Sequence, residues 1–317
     1  MRIAFEGAGG KCVFSSEWDK HAQRTYEWNF GETPHGDITR IEAEVIPDFD
    51  VLLAGFPCQP FSSIGRREGF GHPTQGTLFH DIVRILGAKE PKAFLLENVE
   101  GLETHDNGNT IRVIEAALRG LGYVIDRRVL DAADYGVPQH RRRMYIAGFM
   151  AESSDAQFPM TWPKPSRARR GVGKFIERDV KGHSISKHLQ DVYIFKKDDG
   201  RPEIVDWRST EPVKTLCASY HKIQRLTGTF VRGGETGLRL LTASECRGIM
   251  GFPSWYEIPK SVSRTQMYRQ FGNSVAVPVV KRIARVMTEC LVNINANSVG
   301  HGVAEGQLSQ SRRKSVA

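Results

Sequence analysis

Absences narrow the chain first. Its five cysteines, Cys12, Cys58, Cys217, Cys246 and Cys290, are odd in number and far apart, so they do not form the disulfide framework of a small secreted domain. No CxxC pair or Cys/His cluster has metal-ligand spacing. Free thiols in a reducing cytoplasm, and no resident metal, are expected. No apolar run approaches the roughly 20 residues that a membrane-spanning helix needs, and the start, MRIAFEGAGG, lacks a signal peptide's apolar core and cleavage site. No export and no membrane partner are expected. The chain has no internal repeat, and acid is the scarcer charge: 36 Asp and Glu against 44 Lys and Arg, a net of +8. Such an excess suits a polyanion, because Lys and Arg displace condensed counterions from phosphates; by itself it also suits many proteins that touch no nucleic acid.

What is present is enough apolar sequence, 40% of 317 residues, for one large α/β unit and a smaller one. The first half alternates short apolar runs with helical patterns, the signature of a parallel sheet with crossover helices. CVFSS (12–16) reads as a strand ending at Glu17-Trp18, and DKHAQRTYEWNF as a helix. FDVLLAGFP (49–57) is a near-continuous apolar run, as in a strand covered on both faces. LFHDIVRILGAKEP (78–91) has helical spacing, KAFLLENV is a strand, TIRVIEAALRGLG a helix, and YVIDRRVLD and RMYIAGF are strands. Prolines then break the pattern at FPMTWPKPS, and residues 166–260 read as a smaller, irregular, β-rich lobe. VAVPVVKRIARVMTECL follows as an amphipathic helix, with Pro278 tolerable near a first turn. The boundaries expected are 1–157 plus 262–292 for the larger domain, 158–261 for the smaller, and 293–317 as a disordered polar tail.

Chemistry-bearing groups of open α/β sheets sit beyond the carboxyl ends of the strands, and three polar motifs fall there: Glu17-Trp18, Pro57-Cys58 and Glu97-Asn98. A lone strand-end cysteine reads as a buried small hydrophobe. Cys58, however, stands between Pro57 and Pro60 at the mouth of the polar loop FSSIG, where an exposed thiolate is a strong nucleophile. No histidine is paired with it in the manner of a protease. Glu97 alone would read as a cap or an ion-pair partner; one strand from Cys58 it becomes a candidate proton donor, held partly protonated by burial. In QHRRRMYIAG the period of two puts Arg141 and Arg143 on one face and Arg142 on the other, so two guanidiniums can orient a carboxylate or a phosphate.

GFPCQPFS, ENVEG, QHRRRMYIAG, RLLTASECRGIMGFP and QFGNSVAVPVV, in this order and spacing, resemble the signature blocks of the cytosine-C5 DNA methyltransferase family, from about Cys12 to Val280. The resemblance implies a Rossmann-like methyltransferase sheet with a smaller target-recognition domain. It also implies a cytoplasmic, site-specific, monomeric enzyme of the kind found in restriction-modification systems, acting on double-stranded DNA with S-adenosylmethionine as methyl donor. In that family's chemistry Cys58 attacks C6 of a flipped-out cytosine, Glu97 protonates N3, Arg141 supports the cysteine and the base, and Arg143 holds the acidic residue and the base. Base flipping exposes an atom that the duplex hides.

The same resemblance implies that Glu17 holds the ribose hydroxyls, Trp18 lies beside adenine and Asp37 accepts from the adenine amino group, with Pro57, Asn273 and Ser274 lining the pocket. Ser62, Thr215 and Leu216 match DNA-contacting positions. FEGAGG resembles the family's glycine loop, yet Gly9-Gly10 directly precedes KCVFSSEW, a spacing that fits the later turn, with MRIAFEGA as the tail of a helix. The expectation is therefore a chain lacking the first strand and the glycine loop. Two alternatives follow: an N-terminally truncated, weak or inactive DNA-binding homologue, and a tRNA cytosine-C5 methyltransferase.

Overall fold

The structure is a computed structural model that describes residues 1–57, 78–151, 153, 155–166 and 169–294. Cys58 and Ser62 lie outside the described residues, as does the tail from 295. The larger sheet has four strands: β1 (Val51–Gly55), β2 (Ala93–Val99), β3 (Tyr123–Asp131) and β4 (Arg142–Met150). Their order is β1-β2-β4-β3. β1 and β2 are parallel, joined through helix α3 (Leu78–Lys89). β4 lies between β2 and β3 and runs against both, so the expected parallel sheet holds only in part. The reason is the short connection 132–141, which has no room for a crossover helix and returns the chain antiparallel. Asp131 closes its base: Oδ1 accepts from the backbone N–H of Ala133 and of Arg141, and Oδ2 pairs with His140 Nδ1 at 3.0 Å.

β2 shows how the sequence pattern covers both faces. Ala93 and Leu95 pack with Tyr145, Ala147, Phe149 and the helix over 277–294, while Phe94 and Leu96 pack with Met144, Ile146, α3 and the helix Asn109–Gly120 (α4). Alternate side chains of one strand thus enter two apolar layers. At the amino end, Arg2–Glu6 forms helix α1, whose Ala4 and Phe5 join the first layer. The Gly10 N–H closes the turn after α1 by donating to the Phe5 carbonyl at 2.9 Å. Helix α2 (Lys20–Phe30) begins at Asp19, whose carboxylate accepts from the N–H groups of His21 and Ala22, and ends at Gly31 with φ 70°. The Arg2 guanidinium sits 4.2 Å above the Phe30 ring and ties α1 to α2.

CVFSS is not a strand. It contributes one isolated bridge, Ser16 to His35, with Phe14 stacked on the His35 ring at 4.6 Å. A strand exists only where a partner strand meets it, and among the described residues β1 has one strand neighbour, β2.

The second core is built on a three-stranded sheet, β5 (Glu203–Val205), β6 (Thr229–Arg232) and β7 (Leu238–Arg239), in that order. The one-turn helix α5 (Lys187–Leu189) precedes it; α6 (Ala243–Ile249) and α7 (Arg264–Asn273) follow. α6 opens with a capping box between Thr242 and Glu245. Met267, Tyr268 and Phe271 of α7 belong to this second core, whereas Ala276 to Met287 belong to the first. The cores therefore exchange at residues 272–275. The helix over 277–294 is α8, with Pro278 in its first turn. No helix among the described residues is long and apolar enough to cross a membrane.

Candidate active site

β1 and β2 deliver the site together. Their register sets Gly55 opposite Glu97, so the chain leaving β1 toward Cys58 passes the carboxylate on the neighbouring strand. Asn98, only 3% exposed, donates from Nδ2 to the Phe56 carbonyl at 3.0 Å and accepts the Val99 N–H on Oδ1. It fixes the backbone two residues before Cys58. This anchoring role was legible in the ENV block only as a polar residue at a strand end.

Glu97 Oε1 pairs with Arg143 Nε at 3.2 Å, the two side chains being 12% and 15% exposed. Burial raises the Glu97 carboxyl above the usual range; the charges of Arg143, Arg141 and the Met1 amino group pull the other way and are outweighed. Arg141 is 2% exposed, and burial, then the charge of Arg143, lowers its guanidinium to about 10. Arg142 points to the other side, where it grips the exposed Glu100 carboxylate through Nε and Nη2. The period of two thus separates the three arginines as expected, yet Arg141 and Arg143 do different things. Arg143 meets the carboxylate; Arg141 donates to the carbonyls of Leu216, Gly272 and Ser274.

A cleft of about 3100 Å³ gathers Glu97, Arg141 and Arg143 at one part of its wall. Glu17, Trp18 and Asp37 also line it, as do Pro57, Asn273 and Ser274. Trp18 is 75% exposed. Burial raises the Glu17 carboxyl, against the bonds it receives from the Asp19 and Trp18 N–H groups. Asp37 is already engaged in the turn that follows it, Oδ1 accepting from the Thr39 N–H and hydroxyl, and these bonds hold its carboxyl below the usual range.

Thr215 and Leu216 stand outside this cleft's wall, behind Arg141. Leu216 is 4% exposed within the second core. Its side chain therefore packs inward. Thr215 is the more open of the pair, and its hydroxyl donates to the His140 carbonyl at 2.6 Å. Among the described residues no group of three or more His, Cys, Asp or Glu is arranged to hold a metal ion.

A mixed sheet carrying a buried acid beside the exit of an apolar strand has the arrangement expected of an α/β enzyme, and comparison with known proteins gives it a family. The C-5 cytosine-specific DNA methylase model matches residues 1–289, and the chain belongs to that family. It is 55% identical over 298 residues to the type II methyltransferase M.MspI of Moraxella sp., covering 94% of this chain and 70% of the relative. It is 56% identical over 292 residues to M.BsuFI of Bacillus subtilis, covering 92% and 70%. The S. pombe Dnmt2 methyltransferase structure superposes with a TM-score of 0.72 at 22% identity, over 91% of this chain and 94% of that one, a likeness of fold.

Proposed function

We propose that Cys58 is the nucleophile and Glu97 the acid of a site-specific DNA cytosine-C5 methyltransferase. Family membership and the type II relatives make the chain a DNA (cytosine-5-)-methyltransferase of the restriction-modification kind; the roles of its residues are our reading. The observation that carries the roles is the Glu97–Arg143 pair, buried on β2 at the register where β1 ends and the chain turns toward Cys58.

The thiolate of Cys58 adds to C6 of the flipped cytosine, while Glu97 donates its proton to N3, so that C5 becomes nucleophilic. A raised carboxyl pKa keeps that proton available. Arg143 orients the carboxylate through Nε, and Asn98 sets the approach of the loop by its hold on Phe56. After methyl transfer, loss of the C5 proton expels the sulfur. S-adenosylmethionine, when bound, supplies the methyl group. The cleft suits it: Trp18 offers an uncovered ring to a purine, Glu17 stands beside it, and Pro57, Asn273 and Ser274 line the same wall. Asp37 serves as acceptor only with an oxygen that Thr39 leaves open.

The larger sheet serves as a Rossmann-like methyltransferase core, and the second core, whose buried residues run from Val172 to Phe271, as the reader of double-stranded DNA. The enzyme works as a cytoplasmic monomer. Incubating the purified chain with labelled methyl donor and plasmid DNA, then mapping 5-methylcytosine by bisulfite sequencing, tests the reading and yields the recognition sequence. Label in plasmid DNA is expected; label in tRNA alone, or DNA binding without transfer, would overturn it. Cys58→Ala is expected to abolish transfer and keep DNA binding.

A further inference from the structure

One guanidinium joins three segments that are distant in the sequence. Arg141 Nη1 donates to the Leu216 carbonyl at 3.2 Å, and Nη2 donates to the carbonyls of Gly272 at 2.9 Å and Ser274 at 2.7 Å. The residue before last repeats the grip on Leu216: Gln139, 0% exposed, accepts the Leu216 N–H on Oε1 at 2.7 Å. Both polar groups of Leu216's backbone are thus held by side chains two positions apart on one extended stretch. Between them the His140 N–H donates to the Val213 carbonyl at 2.8 Å, and the His140 carbonyl accepts the Thr215 hydroxyl. Segment 213–216 is stitched along 139–141.

The other end of the junction is equally tight. Gly272 presses on the chain at Cys217–Ala218 so closely that a Cβ there would stand 2.2 Å from the Ala218 nitrogen. The turn that Arg141 holds also carries Asn273 and Ser274, which line the cleft. Fixing that turn fixes the carbonyls around Arg141, and through them Leu216 and its neighbour Thr215.

We propose that Arg141 is a positioning residue that couples the filling of the cofactor cleft to the engagement of DNA by the Thr215 segment. The proposal rests on the reading of cleft and second core given above. Coupling of this kind is reciprocal, and values of about 5- to 150-fold are usual. Arg141→Lys retains a charge but loses the planar fork that serves three carbonyls at once.

The test uses the full chain and a duplex containing the mapped methylation site. Duplex affinity is measured by fluorescence anisotropy with and without S-adenosylhomocysteine, in wild type and Arg141→Lys. For wild type, S-adenosylhomocysteine is expected to tighten DNA binding by about fivefold or more, and for Arg141→Lys by about twofold or less. Equal tightening in both proteins would overturn the proposal, as would none in wild type. Failure of wild type to bind either ligand would instead sink the functional reading. Should Arg141→Lys not fold, hydrogen exchange on wild type decides. S-adenosylhomocysteine alone is expected to slow exchange across residues 213–218, and unchanged exchange there would reject the coupling.

Discussion

Glu97 shows how a single residue's environment sets its chemistry. Burial, the largest influence, disfavours its charged form, and Arg143, Arg141 and the Met1 amino group only partly offset this. For an acid raised in the folded state, the stabilising contribution is complete below the unfolded pKa and disappears as pH rises through the folded one. The unfolding free energy of wild type relative to Glu97→Gln is therefore expected to fall as pH rises above the ordinary range of a Glu carboxyl, about 4.3, as read by urea titration at each pH. Methyl transfer follows the same proton: its rate is expected to fall as pH climbs through the raised pKa, and Glu97→Gln, which cannot donate it, should lose roughly 10²- to 10⁴-fold. A transfer rate in that variant near wild type would remove Glu97 from the mechanism. Sequence alone pointed to Glu97 because it ends an apolar run. It could not reveal Asn98's grip on Phe56, since a buried amide and a solvated one look alike in a string of letters.

At the scale of elements, two close approaches are sharp enough to test. β4 passes β2 with Gly148 opposite Phe94, and a Cβ on Gly148 would stand 2.2 Å from the ring. Gly148→Ala overpacks this layer and should destabilise by about 1–3 kcal/mol, measured as a lowered urea midpoint. In the second core, Arg239 and Glu245 are 2% and 0% exposed in side chain, and pair at 2.7 Å. Glu245 also accepts from the N–H groups of Glu177 and Thr242. Glu245→Ala would strand a buried guanidinium and open the start of α6, an expected loss of about 3–5 kcal/mol by the same titration. Little of this network was visible beforehand: RLLTASEC carries the capping-box spacing, but Arg239 and Glu177 join it only once β7 packs behind α6.

For the whole molecule, the excess of base is expected to act at the DNA. With a net charge of +8, duplex affinity should fall at least tenfold between ~50 and ~200 mM salt through lost counterion release; anisotropy titrations at each salt concentration check the slope. The sequence by itself determined helices α2 to α4 and strands β1 to β4, the facing of Arg141 and Arg143, and the ordered blocks that mark the family. Each of these is a local property, written in a period of two or 3.6 or in a short run of letters. Only the tertiary structure decided that CVFSS forms no strand, that β4 slots between β2 and β3, and that Leu216 turns inward. It alone brought Arg141 to carbonyls 75 and 131 residues away. Those outcomes depend on which distant surfaces meet, and a backbone carbonyl has no residue type by which the sequence could announce it.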